Sequence, residues 1–129
     1  MKNKWYVKIW AEGKYIDFWS INHILGGALL AQIFVFLGVN FWISLVISFI
    51  IMILWEVYEY KTKVYETIQN RVMDVVVGLL GFFMIYYLVS LDFFYNGIFY
   101  IVFFIFLFLE IWGYIAYQLK KKRRDENTK

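Results

Sequence analysis

The chain of 129 residues has no cysteine, no proline and one histidine, His23. Without cysteine there is no disulfide and no thiolate-held metal. Any metal here has to be held by imidazole and oxygen ligands. Without proline, no helix is obliged to kink or stop. A third absence is positional: of 13 Lys and Arg, none lies between 15 and 60 or between 72 and 119. Polar linkers, low-complexity tracts and internal repeats are missing as well. Apolar residues fill the space, at 63% of the chain with a mean hydropathy of +0.62. A soluble domain is usually about 45–50% apolar, so water is a poor solvent for this chain.

A helix needs roughly 20 apolar residues to cross a bilayer core of about 30 Å. Four segments meet that length, at about 16–39, 41–59, 72–91 and 97–119. Each is expected to be helical, because an isolated strand leaves backbone groups unpaired in lipid. The first run carries no small-residue cleavage site and reads as an anchor. The fold class expected is an all-α membrane protein: one integral membrane domain, a four-helix bundle. Residues 1–14, "MKNKWYVKIWAEGK", mix Trp5, Tyr6, Ile9 and Trp10 with Lys4, Lys8 and Lys14, and predict a short interfacial helix lying on the membrane. Residues 120–129, "KKKRRDENTK", predict a solvated basic tail.

All the basic residues fall before the first span, between the second and third, and after the fourth. With four spans these places share one side. By the positive-inside rule both termini and the middle loop are expected in the cytoplasm, in a multi-pass protein of the cell (inner) membrane. Membrane lipids are then its partners. The basic tail lacks interleaved aromatics and topology accounts for it, so nucleic-acid binding is not expected.

Within the spans the polar residues are few and one-sided. Glu56 and Glu59 close the second span, Asp74 opens the third just after Asn70, and His23 lies two turns into the first. Glu110 lies on the same half of the fourth. Helical spacing gives four stripes: Ser20-His23-Gly27-Ala31, Ser44-Ser48-Met52-Glu56-Glu59, Asn70-Asp74-Gly78-Gly81, and Glu110-Gly113-Tyr117. Small residues let membrane helices approach closely. An ionisable group facing lipid at the bilayer centre costs at least about 2.5–3.5 kcal/mol. Both facts turn the stripes inward, around an acidic pocket of His23, Glu56, Glu59, Asn70, Asp74 and Glu110. Glu110 needs a partner, and His23 is the expected one. Glu66, in the loop, is expected to be solvated.

These motifs, "NHILGG" at 22–27, "WEVYE" at 55–59, "IQNRVMDVVVGLLG" at 68–81 and "LEIWGY" at 109–114, resemble those of VanZ-like membrane proteins. They are closest to a related group of small bacterial inner-membrane proteins, in which no reaction is assigned to the site. The matching positions are His23 and Gly27, then Trp55, Glu56 and Glu59, then Asn70, Asp74 and Gly78. The chain departs from the pattern in its short loop, "VYETIQNR", and in Glu59, where VanZ-like proteins often carry glutamine. The resemblance implies a site and names no reaction for it.

Three function classes follow. The first is binding or modification of a cell-envelope amphiphile, a lipid or a lipid-linked head group, in the inner-leaflet pocket. Three carboxylates and an imidazole, Glu56, Glu59, Asp74 and His23, suit a divalent ion such as Mg2+, Mn2+ or Zn2+. With such an ion, a metal-dependent hydrolase or transferase acting on a head group is conceivable. No nucleophile constellation accompanies it, so the reading leans away from an enzyme. The second class is a small transporter or proton-coupled exporter subunit. The apolar outer half of every stripe argues against it. The third is a structural subunit of a membrane complex.

Overall fold

A computed structural model describes residues 5–62, 64, 66–90 and 96–127. Those residues form one helical turn, α1 (Trp5–Lys8), and four long helices: α2 (Trp19–Phe36), α3 (Phe41–Lys61), α4 (Ile68–Ser90) and α5 (Asn96–Asn127). All four long helices are long and apolar enough to cross a membrane, and the protein is a multi-pass membrane protein. There is no strand among the described residues.

The helix ends have local causes. Asp17 accepts from the Trp19 backbone N–H at 2.9 Å, so α2 starts three residues later than the apolar run. It stops at Phe36 because Gly38 turns the chain with φ of 66°, a backbone state that glycine adopts without a Cβ clash. Asn40 caps α3, its Oδ1 accepting from the Trp42 N–H at 2.9 Å. Thr67 caps α4, its Oγ1 accepting from the Asn70 N–H at 3.1 Å. That cap draws Gln69, Asn70 and Arg71 into the helix, which therefore begins four residues before the apolar stretch.

One expectation at the chain ends is corrected, the placement of Trp10. The N-terminal interfacial helix is a single turn, and Trp10 just beyond it is fully buried rather than laid on a surface. Its ring meets Phe18, Trp19 and Trp112 at centroid distances of 4.8, 4.5 and 5.7 Å. Lys120 Nζ donates to the Trp10 carbonyl, and sits 3.9 Å from Glu12 Oε2. The segment thus folds under the bundle and closes its basic end. The basic tail carries α5 on in helical form to Asn127. The outer turn at 92–96 and the last residues, 128–129, are sequence expectations that fall mostly outside the described residues.

α2 is the central helix. It packs along α4 and also touches α3 and α5, while α3 leans on α4; α5 meets neither α3 nor α4. The α2–α4 seam is made of backbone. A Cβ on Gly27 would lie 1.9 Å from the Gly78 carbonyl oxygen, and one on Gly81 would lie 2.1 Å from the Ile24 carbonyl oxygen. Ala28, Ala31, Phe82 and Ile85 continue the seam as a buried cluster. The remaining faces, such as Ile43, Ile47 and Ile50 on α3 and Phe104, Phe108 and Ile111 on α5, are exposed and apolar. Lipid is their solvent.

Candidate functional site

All four stripes face inward. Ser20, Ala31, Ser44, Ser48, Met52, Glu56, Asn70 and Asp74 are buried, and His23, Glu59, Glu110 and Tyr117 are partly buried. The ionisable groups lie at the basic end because α2 and α4 start there, α3 ends there, and Glu110 is on the same half of α5.

Asp74 anchors the network from α4, with no exposed surface. Its Oδ1 accepts from Ser20 Oγ at 2.7 Å, and its Oδ2 accepts from Asn70 Nδ2 at 3.3 Å. Asn70 Nδ2 also donates to Asp17 Oδ2 at 3.0 Å, and the same oxygen accepts from the Gly13 N–H at 2.9 Å. Asp17 therefore ties the N-terminal segment to α2 and α4.

His23 lies between two carboxylates. Its Nε2 is 3.8 Å from Asp74 Oδ2, and its Nδ1 is 3.7 Å from Glu56 Oε1. One atom each from His23, Glu56 and Glu59 lies within 4.8 Å of the others. Glu56 is 7% exposed, yet neither of its carboxylate oxygens has a hydrogen-bond partner, and Glu59 Oε2 has none. The expected four-residue metal set thus divides. His23, Glu56 and Glu59 converge, while Asp74 stands behind the imidazole with its donors already assigned.

Glu110 has a partner other than the one expected. Asn22 Nδ2 donates to Glu110 Oε1 at 3.1 Å, whereas the contacts of His23 run to Glu56 and Asp74. The reason is helical geometry. Neighbours in sequence point about 100° apart on a helix of 3.6 residues per turn, so Asn22 faces α5 while His23 faces α3 and α4. The signal was present as two amides inside an apolar span, Asn22 and Gln32. Gln32 is buried with both of its polar side-chain atoms unpartnered, so the outer half of α2 is less apolar than the stripes implied.

Glu66 is not solvated. Its side chain is 3% exposed, with Arg71 Nε at 3.8 Å. Burial first, then the Asp74 and Asp17 charges, push its pKa up to about 7, against the pull of Arg71.

Because α3 and α5 do not meet, a cleft of about 350 Å³ opens between them with α2 as its floor. Asn22, His23, Glu59 and Glu110 make its polar end. Leu29, Leu30 and Ile33 of α2 and Phe99, Phe103 and Phe106 of α5 carry it onward as an apolar channel. No protein-family profile, curated protein or solved structure matches the chain.

Proposed function

We propose that the protein binds a cell-envelope amphiphile, taking its apolar chain between α3 and α5 and its head at the polar end of the cleft. The observation that carries this reading is the cleft's two-part lining. The volume is within the range of about 300–1,000 Å³ usual for small-molecule sites. The gap between α3 and α5 faces the direction from which a lipid would enter sideways. Asn22, His23, Glu59 and Glu110 match a head that donates hydrogen bonds, such as a sugar, polyol or amine. The nearby cations are engaged elsewhere: Arg71 with Glu66 and the Val64 carbonyl, Lys120 with Trp10 and Glu12. The resemblance to VanZ-like motifs, which includes His23, is in keeping with a site at this end and names no ligand.

The test is native mass spectrometry of detergent-purified protein. Wild type is expected to carry a co-purified amphiphile. Leu30→Trp and Gly26→Leu, which fill the channel, are expected to lose it while staying folded. A Cβ on Gly26 meets nothing closer than Phe106 Cε2 at 3.6 Å, so the first atom of the new side chain meets no backbone, and thermal unfolding of the variant in parallel checks that it stays folded. Bare wild type, or adducts unchanged in both variants, would reject the reading.

The proposed setting is the inner membrane with the polar end of the cleft in the cytoplasmic leaflet, supported by the basic-residue asymmetry. The absence of native cysteine makes labelling clean. Leu37→Cys should react with an impermeant thiol reagent on whole cells, and Glu126→Cys should react only after permeabilisation. The reverse pattern would invert the protein in the membrane.

A further inference from the structure

We propose that His23, Glu56 and Glu59 form a divalent-cation site at the polar end of the cleft. Three independent features converge there. The first is the ligand set: one imidazole and two carboxylates, from two helices, with ligand atoms within 4.8 Å of one another. The second is an unmet demand. A buried carboxylate is costly unless it is paired or coordinates a metal, and both oxygens of Glu56 are buried without a hydrogen-bond donor. Asp74 receives Ser20 and Asn70, Asp17 receives Gly13, Trp19 and Asn70, and Glu110 receives Asn22, whereas Glu59 and Glu66 each keep one buried oxygen without a donor. Among the described residues Glu56 is the acid with both oxygens buried and unpartnered, and its Oε1 lies 3.7 Å from His23 Nδ1.

The third feature is behind the histidine. A metal-bound imidazole usually donates its other N–H to a carboxylate, which fixes the ring and raises its basicity. Asp74 Oδ2 stands on that side of the ring, 3.8 Å from Nε2 and so short of a hydrogen bond as the side chains stand, and the Asp74 carboxylate is itself held by Ser20 and Asn70. A proton on Nε2 leaves the Nδ1 lone pair directed at Glu56. Asp74 is thus a positioning residue and not a ligand.

One nitrogen and two carboxylates favour Zn2+ or Mn2+. Mg2+ and Ca2+ take oxygen ligands almost exclusively. Metal–ligand bonds of about 2.0–2.2 Å require the trio to close slightly. The carboxylate torsions of Glu56 and Glu59 supply that movement without moving a helix. Three protein ligands leave coordination positions open. His23 and Glu59 line the cleft, so those positions face it. The ion site does not depend on an amphiphile being bound.

The experiment uses the full chain in detergent with no lipid added. Protein is stripped with chelator, reloaded separately with Zn2+ and Mn2+, desalted and assayed for metal, with thermal unfolding followed in parallel. About one equivalent per chain is expected for at least one ion, together with a rise in unfolding temperature, since an ion that binds only the folded state stabilises it. Glu56→Gln with Glu59→Gln, and separately His23→Ala, should abolish retention. Asp74→Asn should weaken affinity about 10–100-fold without abolishing it. Glu66→Gln, outside the trio, should retain the ion. Negligible retention by folded wild type, or undiminished retention by the Glu56/Glu59 double variant, would overturn the proposal. An amphiphile adduct that persists in metal-free protein would leave the binding reading intact, so the two can fail separately.

Discussion

Gly27→Ala is expected to be the most damaging single methyl that can be added to this protein. Its Cβ would lie 1.9 Å from the Gly78 carbonyl oxygen and 3.1 Å from the Phe82 backbone nitrogen. No rotamer change relieves a contact with backbone, so α2 and α4 must separate along the longest seam in the bundle. Ordinary overpacking costs about 1–3 kcal/mol, and this substitution should exceed that range. It should also scatter the site, because His23 and Asp74 sit on the two helices that part. Gly26→Ala, one residue away, is the internal control. Its Cβ has room, and alanine improves helix propensity by about 0.8–1 kcal/mol over glycine, so stability should be unchanged or higher. Unfolding in a detergent titration measures both. Equal effects at the two positions would show that the seam is looser than the glycine contacts require.

Asp74→Ala and Glu56→Gln, measured in chelator-treated protein, should shift stability in opposite directions although each removes one buried carboxylate. Asp74 receives Ser20 and Asn70 and faces His23. Deleting it takes the acceptor from the buried Ser20 hydroxyl and one of the two acceptors from Asn70, and leaving a buried donor unsatisfied costs about 1–3 kcal/mol. Glu56 receives no donor at either oxygen. Neutralising it removes a desolvation penalty and breaks no hydrogen bond, so the variant should match or exceed wild type. The same Glu56→Gln protein should gain nothing from added Zn2+ or Mn2+. Unfolding midpoints with and without metal decide the matter. A Glu56→Gln loss as large as that of Asp74→Ala would mean that Glu56 has a structural role in the metal-free protein.

Much of the bundle was legible because lipid imposes simple rules. Long apolar runs have to be helices, and an acid in such a run has to face inward. The stripes through Ser44, Ser48, Met52 and Glu56, and through Asn70, Asp74 and Gly78, therefore emerged from spacing alone. The helix ends were less legible, because single polar side chains set them: Asp17 before α2 and Thr67 before α4. Trp10 was misread for a related reason. An aromatic among lysines looks interfacial from sequence, and the cavity it fills, against Trp19, Trp112 and Gly113, exists only once α2 and α5 are side by side.

Partner choice among the polar residues was a tertiary decision. Periodicity says which way a side chain points from its own helix axis, but not which helix waits there. The sequence therefore determined that four apolar helices cross a membrane, and that His23, Glu56, Glu59, Asp74 and Glu110 lie at one end facing inward. Only the packing made α2 the central helix, since the carbonyl-to-glycine contacts of its seam with α4 depend on two distant segments meeting in one register. That central placement gives His23 to Glu56 and Asp74, and Asn22 to Glu110. It also holds α3 and α5 apart, which is what opens the cleft.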